Sequence, residues 1–219
     1  MTSWSGIRKS GLRAAEAEGV KYSPPGSGGS QIRALARELG IDRVELREME
    51  GDAILIERGD GGLTMFLNQS QYRVRHRFSA AHEIAHLLLQ PLVGQRAVHR
   101  RRFAPHQDPE TKKIESLCND MASAILIPQQ YASPMIREMG DTAASVPKMA
   151  ESFGVSFEAA ARRYVSLVAD PCAAISWTLL DNGRAKNKSA PWTSVPLRGR
   201  WLEIVPPSPG APIAASGAL

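Results

Sequence analysis

His82-Glu83-Ile84-Ala85-His86, set within Arg77-Phe78-Ser79-Ala80-Ala81-His82-Glu83-Ile84-Ala85-His86-Leu87-Leu88-Leu89, is the stretch that decides how this chain is read. Its polar and apolar positions predict a helix over roughly 79–90, with Ser79 as N-cap and Pro91 as the stop. On a helix, residues i and i+4 lie on one face, one above the other. Both imidazoles of HExxH therefore reach a single metal ion. Glu83, one position on, points beside the ion, where its carboxylate can take a proton from water activated by the metal. Ile84, Leu87, Leu88 and Leu89 supply apolar cover, and a dry surround strengthens the field of an ion. The competing reading is a surface helix with two incidental histidines. It is the weaker one, because imidazoles beside a core stripe need partners.

Zinc with two histidine ligands calls for a third protein ligand and one open position. A second helix is expected from Asp108-Pro109, a cap and a first-turn proline, to Ile127 before Pro128. Ile114, Cys118, Met121 and Ile125 form its apolar stripe. Glu115 lies on the flank of that stripe and is the best third ligand; taken alone it would read as a helix salt bridge. Asp120 is on the opposite flank and is the poorer choice. Asn119, one turn after Glu115, is placed to orient a ligand. All five histidines fall between His76 and His106. His76, His99 and His106 read as loop or pre-helix residues without a ligand role. An oxyanion-stabilising role is open to one of these histidines, with His106 the one singled out, to Tyr72, to Tyr131 or to an arginine, and the sequence does not choose among them.

Outward from this centre, Ile32, Leu35, Ala36 and Leu39 mark a helix ended by Gly40. Ala53–Ile56 and Leu63–Leu67 read as a hairpin about Gly59-Asp60-Gly61-Gly62. The fold class is α+β, with a small sheet and an active-site helix. Residues 1–30, breaker-rich near their end, read as a flexible arm, and 31–132 as the metal-bearing domain. Residues 133–170 read as a small helical module. Within it, Ala150-Glu151-Ser152-Phe153-Gly154-Val155-Ser156 resembles a helix-turn-helix turn, but the following helix places Phe157, Ala159, Ala160 and Ala161 where a DNA reader needs polar side chains. Residues 171–205 read as a short β-rich segment and 206–219 as a disordered tail.

Composition sets the outer bounds. Hydrophobic residues make up 43% and charged residues 22% of 219, enough for a packed core. No run approaches the ~18 apolar residues of a membrane span. Two cysteines without a CxxC pair argue against a disulfide framework and point to the cytoplasm. The net charge of +5 is spread along the chain, apart from a basic loop of Arg96, His99, Arg100, Arg101 and Arg102, so it says little about partners.

Two segments together resemble the ImmA/IrrE-type zinc metallopeptidase family over roughly residues 31–169. Arg77 to Leu89 is similar to the family's RFTxAHExxHLLL segment, and Glu115-Ser116-Leu117-Cys118-Asn119, then Ala122, Ala124, Leu126 and Pro128, to its E-x-x-[AC]-N…A-x-x-L-x-P helix. Asn68 before the active helix and Phe153-Gly154-Val155-Ser156 after the glutamate helix complete the order. The resemblance implies a compact zincin fold, ligands at His82, His86 and Glu115, and a base at Glu83. It also implies a zinc endopeptidase that cleaves a helix-turn-helix repressor of the XRE type, derepressing stress or mobile-element genes. Zn²⁺ is the expected ion, with Mn²⁺ or Fe²⁺ admitted by the same ligand set. The alternative from another class is a DNA-binding regulator with a structural metal. Some family members carry a sensor domain after this region, and residues 171–205 are too short for a complete one.

Overall fold

The computed structural model describes residues 3–27, 31–93, 109–140, 142, 144–168, 173–179, 185–187 and 201–204. Helix α1 spans Trp4–Tyr22 and α2 spans Gln31–Glu38. Strands β1 (Ile41–Arg47), β2 (Ala53–Glu57) and β3 (Leu63–Asn68) follow, then the long helix α3 (Arg73–Val93). Among the described residues, four more helices follow: α4 (Pro109–Leu126), α5 (Gln129–Glu138), α6 (Ser145–Phe153) and α7 (Phe157–Leu167). The architecture is α+β: a small sheet beside paired helices.

The sheet has the order β1-β3-β2. The expected hairpin is present, with β2 and β3 antiparallel. Its turn is locked by Asp60, whose Oδ1 accepts from the Gly62 N–H at 2.9 Å, while Gly61 takes a positive φ of 81°. Strand β1, which lies parallel to β3, was not expected. Its register slips between Ile41 and Arg43, so the inward side chains Ile41 and Val44 stand three residues apart rather than two or four. That slip hides the alternation by which strands are read.

Helix α3 begins six residues before Ser79. Ser79 is buried inside the helix and is not its cap, which corrects the expected start. The added turns are held by polar partners rather than by an apolar stripe. His76 Nε2 donates to the Asn68 carbonyl at 2.7 Å, Arg75 pairs with Asp52, and the Arg77 guanidinium donates to the carbonyls of Phe153 and Gly154. Pro91 sits in the last turn, where its missing N–H costs a single helical bond. Helix α4 keeps the expected bounds and packs along α3.

Within the expected arm, Trp4–Tyr22 form a packed helix, which corrects the reading of this stretch as flexible. Ser3 caps α1, its hydroxyl accepting from Gly6 N–H at 3.2 Å, and the helix packs on α4 and α3. Its buried face is Gly11, Ala15 and Gly19, one small residue every fourth position. This face lets the backbones approach closely, while the large apolar side chains of the helix that reach the core, Trp4, Ile7, Leu12 and Tyr22, are only partly buried, so its hydrophobic period is weak. A Cβ on Gly19 would lie only 2.6 Å from the Ala124 carbonyl oxygen.

Nor do the described residues of 133–170 have a core of their own. Val146, Met149, Phe153, Ala160 and Tyr164 belong to the same core as Ile84, Leu117 and Met121. Gly154 takes the left-handed conformation between α6 and α7, at φ 58°, and Ser156 caps α7 by accepting from Ala159 N–H at 3.2 Å. Arg163 is buried against Ile127 and α1 rather than displayed. In the expected β-rich segment, β4 (Ala173–Leu179), β5 (Ala185–Asn187) and β6 (Trp201–Ile204) form a second sheet in the order β5-β4-β6. The expected tail, 206–219, lies outside the described residues, as does the basic loop from Arg96 to Arg102. Among the described residues, no helix is long and apolar enough to cross a membrane.

Candidate metal centre

The middle of α3 presents His82 and His86 on one face, and α4 lays Glu115 against them. The two Nε2 atoms are 3.0 Å apart. Glu115 Oε2 is 3.2 Å from His82 Nε2, and Oε1 is 3.6 Å from His86 Nε2. Ligands at the usual zinc distances of about 2.0–2.1 Å around a tetrahedral ion stand about 3.3–3.4 Å from one another. The observed spacings bracket that value, so two imidazoles and one carboxylate fit a single zinc-type ion, with a fourth position left for water or substrate.

The electrostatics are mutual. Burial raises the pKa of Glu115, but the hydrogen bonds and charges of His82 and His86 outweigh it and hold the carboxyl well below its ordinary 4.5. Glu115 is thus an anion ready to ligate. His82 and His86 meet edge to face, with ring centroids 4.7 Å apart. Glu83 is buried beside them, with a relative exposure of 4%, on the same helix.

The imidazoles are held from behind by α4. His82 Nδ1 is 3.0 Å from Asn119 Oδ1, so Nδ1–H donates to the amide oxygen and the Nε2 lone pair faces the ion site. His86 Nδ1 lies 3.3 Å from Cys118 Sγ. The sequence places Asn119 in this role; it places Cys118 only in the apolar stripe, and nothing in the residue pattern marks the sulfur as a polar partner.

The remaining site residues fall elsewhere. Asp120 turns away to pair with Arg8 at 2.8 Å. Tyr131, offered for the oxyanion, donates its hydroxyl to the Val20 carbonyl at 3.1 Å and serves the α1 contact. Tyr72 is exposed just ahead of α3, and His76 is held on Asn68. His99 and His106 lie outside the described residues. Asn68, whose amide nitrogen donates to the carbonyls of Met49 and Gly51 at 2.8 and 3.0 Å, ties the sheet to the entry of the active helix.

A small sheet, an HExxH helix and a carboxylate from the next helix define a zincin-like domain of metallopeptidase type. A family model described as Peptidase_M78, IrrE N-terminal-like domain, matches residues 36–164, and the chain belongs to that family. Among solved structures, a Mycobacterium tuberculosis transcriptional regulator is similar at 19% identity with a TM-score of 0.53. The match covers 74% of this chain and 48% of that one, so this chain spans about half the length of that regulator. The likeness is one of fold. No curated protein gives a match.

Proposed function

We propose that this protein is a zinc-dependent endopeptidase that cuts a helix-turn-helix transcriptional repressor of the XRE type in the cytoplasm, relieving repression of stress or mobile-element genes. One observation carries the reading: two imidazoles and a carboxylate at 3.0–3.6 Å from one another, with the buried carboxyl of Glu83 next in sequence to the first ligand. His82, His86 and Glu115 would hold the ion. When bound, zinc polarises water and the scissile carbonyl. Glu83 accepts the proton of the attacking water and returns it to the leaving amine. Asn119 keeps His82 in the tautomer that ligates.

A DNA-reading role is opposed by α7. Ala159, Ala160 and Ala161 are buried, Arg162 pairs with Glu158 at 2.9 Å, and Arg163 is engaged with Ile127 and Glu16. A reading helix needs such side chains free for the groove.

The test is incubation of wild type and Glu83→Gln, each loaded with Zn²⁺, with purified helix-turn-helix repressors of the XRE type from the same organism. Wild type cuts at least one of them, and Glu83→Gln is slower by about 10²–10⁴-fold, the usual contribution of a general base. Equal rates would remove Glu83 as the base, and repressors all left intact after wild-type treatment would remove the substrate class.

A further inference from the structure

We propose that Cys118 is a positioning residue of this metal centre: its sulfur receives the Nδ1–H of His86 and so aims the Nε2 of His86 at the ion. The inference rests on the metallopeptidase reading above and extends it to a residue that reading does not use.

The argument begins with how an imidazole is aimed. A histidine that ligates through Nε2 carries its proton on Nδ1, and whatever accepts that proton fixes both tautomer and ring orientation. His86 Nε2 is the atom that faces His82 and Glu115, at 3.0 and 3.6 Å, so Nδ1 is the atom left to be held. Cys118 Sγ stands 3.3 Å from it, within the reach of an N–H···S contact. The thiol is fully buried, as is most of His86, and an imidazole N–H at such a place costs free energy unless it is accepted.

The placement is systematic. Glu115, Cys118 and Asn119 are i, i+3 and i+4 on α4, so they share one face of the helix. That face supplies the third ligand and a rear partner for each histidine, Asn119 for His82 and Cys118 for His86. The two partners differ in kind. An amide oxygen is a strong acceptor, a thiol sulfur a weak one.

The test compares wild type, Cys118→Ala and Cys118→Ser in the full chain by three measurements. These are Zn²⁺ affinity by chelator competition, the visible spectrum of the Co²⁺-loaded protein, and the melting temperature of the metal-free protein. Cys118→Ala is expected to bind Zn²⁺ more weakly by up to about 10-fold, at or below the low end of the ~10- to 100-fold cost of losing a stronger partner, and to shift the Co²⁺ ligand-field bands. Cys118→Ser, which keeps an acceptor at the position, binds between the two and shows bands near those of wild type. If alanine matches wild type in affinity and spectrum, the role is overturned while the metal site stands. If serine behaves like alanine, the sulfur acts through volume and not as an acceptor, which also overturns it. A sulfur-to-cobalt charge-transfer band in wild type would place Cys118 on the metal and overturn it as well. Should Cys118→Ala melt so early that no metal can be loaded, the serine variant decides. Wild type that binds neither ion would remove the metal site itself, and this role with it.

Discussion

Replacing Gly19 by alanine puts the docking of α1 to a direct test. In the middle of an unpacked helix the change would stabilise by about 1 kcal/mol, since glycine is the poorer helix former. Here the added methyl meets the Ala124 carbonyl oxygen at 2.6 Å, the Ile125 carbonyl oxygen at 2.8 Å and Pro128 Cγ at 2.9 Å. Two of these are backbone atoms at the end of α4, which cannot rotate away as a side chain can. Relief requires α1 to lift from α4, and overpacking of this kind costs about 3 kcal/mol at the upper end of its usual range. The balance is a net loss of about 2 kcal/mol, or roughly 4–8 °C in melting temperature for a chain of this size. Gly11→Ala is the matched control. Its methyl meets only the side chains of Met121, with Sδ at 3.0 Å, and Leu89, at 3.3 Å. A methionine thioether adjusts readily, so this variant should be as stable as wild type or slightly more so. Thermal unfolding followed by circular dichroism reads both. If Gly19→Ala melts at or above wild type, α1 does not sit on α4 as described.

The other predictions concern the centre and its supports. Asn119→Ala should weaken Zn²⁺ binding about 10- to 100-fold by freeing the His82 ring, read by chelator competition. Arg163→Leu should destabilise by about 2–3 kcal/mol in urea unfolding, because it removes the donor to the Ile127 carbonyl and the ion-pair partner of Glu16, which among the described residues keeps only the Gln129 N–H. Glu16→Leu combined with Arg163→Leu should then cost less than the sum of the two single changes. Glu115 has a folded-state pKa below its unfolded value, so in metal-free protein its ionised form contributes stability at neutral pH that is lost as pH falls below about 4.5. The melting temperature of metal-free wild type should accordingly fall more steeply between pH 6 and 3 than that of Glu115→Gln; parallel curves would refute the pairing.

What could be read from the residues, and what could not, follows physical lines. HExxH and Glu115 were legible because fixed helical spacing turns sequence into geometry. The Gly59–Gly62 hairpin and the Gly154 turn were legible because only certain residues tolerate such backbones. Helix α1 was not, since its packing face of Gly11, Ala15 and Gly19 works by lacking side chains, whereas periodicity arguments count large apolar ones. Strand β1 was missed through its register slip. The early start of α3 was missed because Arg75, His76 and Arg77 are held by distant partners at Asp52, Asn68 and Phe153. Cys118 looked like a core residue, and it is one. Its contact with His86 exists only once α3 and α4 lie side by side.

The central claim is that His82, His86 and Glu115 hold one ion while Glu83 does other work. Zinc content after dialysis against a zinc-buffered solution tests it most directly. Wild type and Glu83→Gln should each retain about one zinc per chain, and Glu115→Ala close to none. Zinc retained by Glu115→Ala at the wild-type level, or lost from Glu83→Gln, would contradict this division of roles.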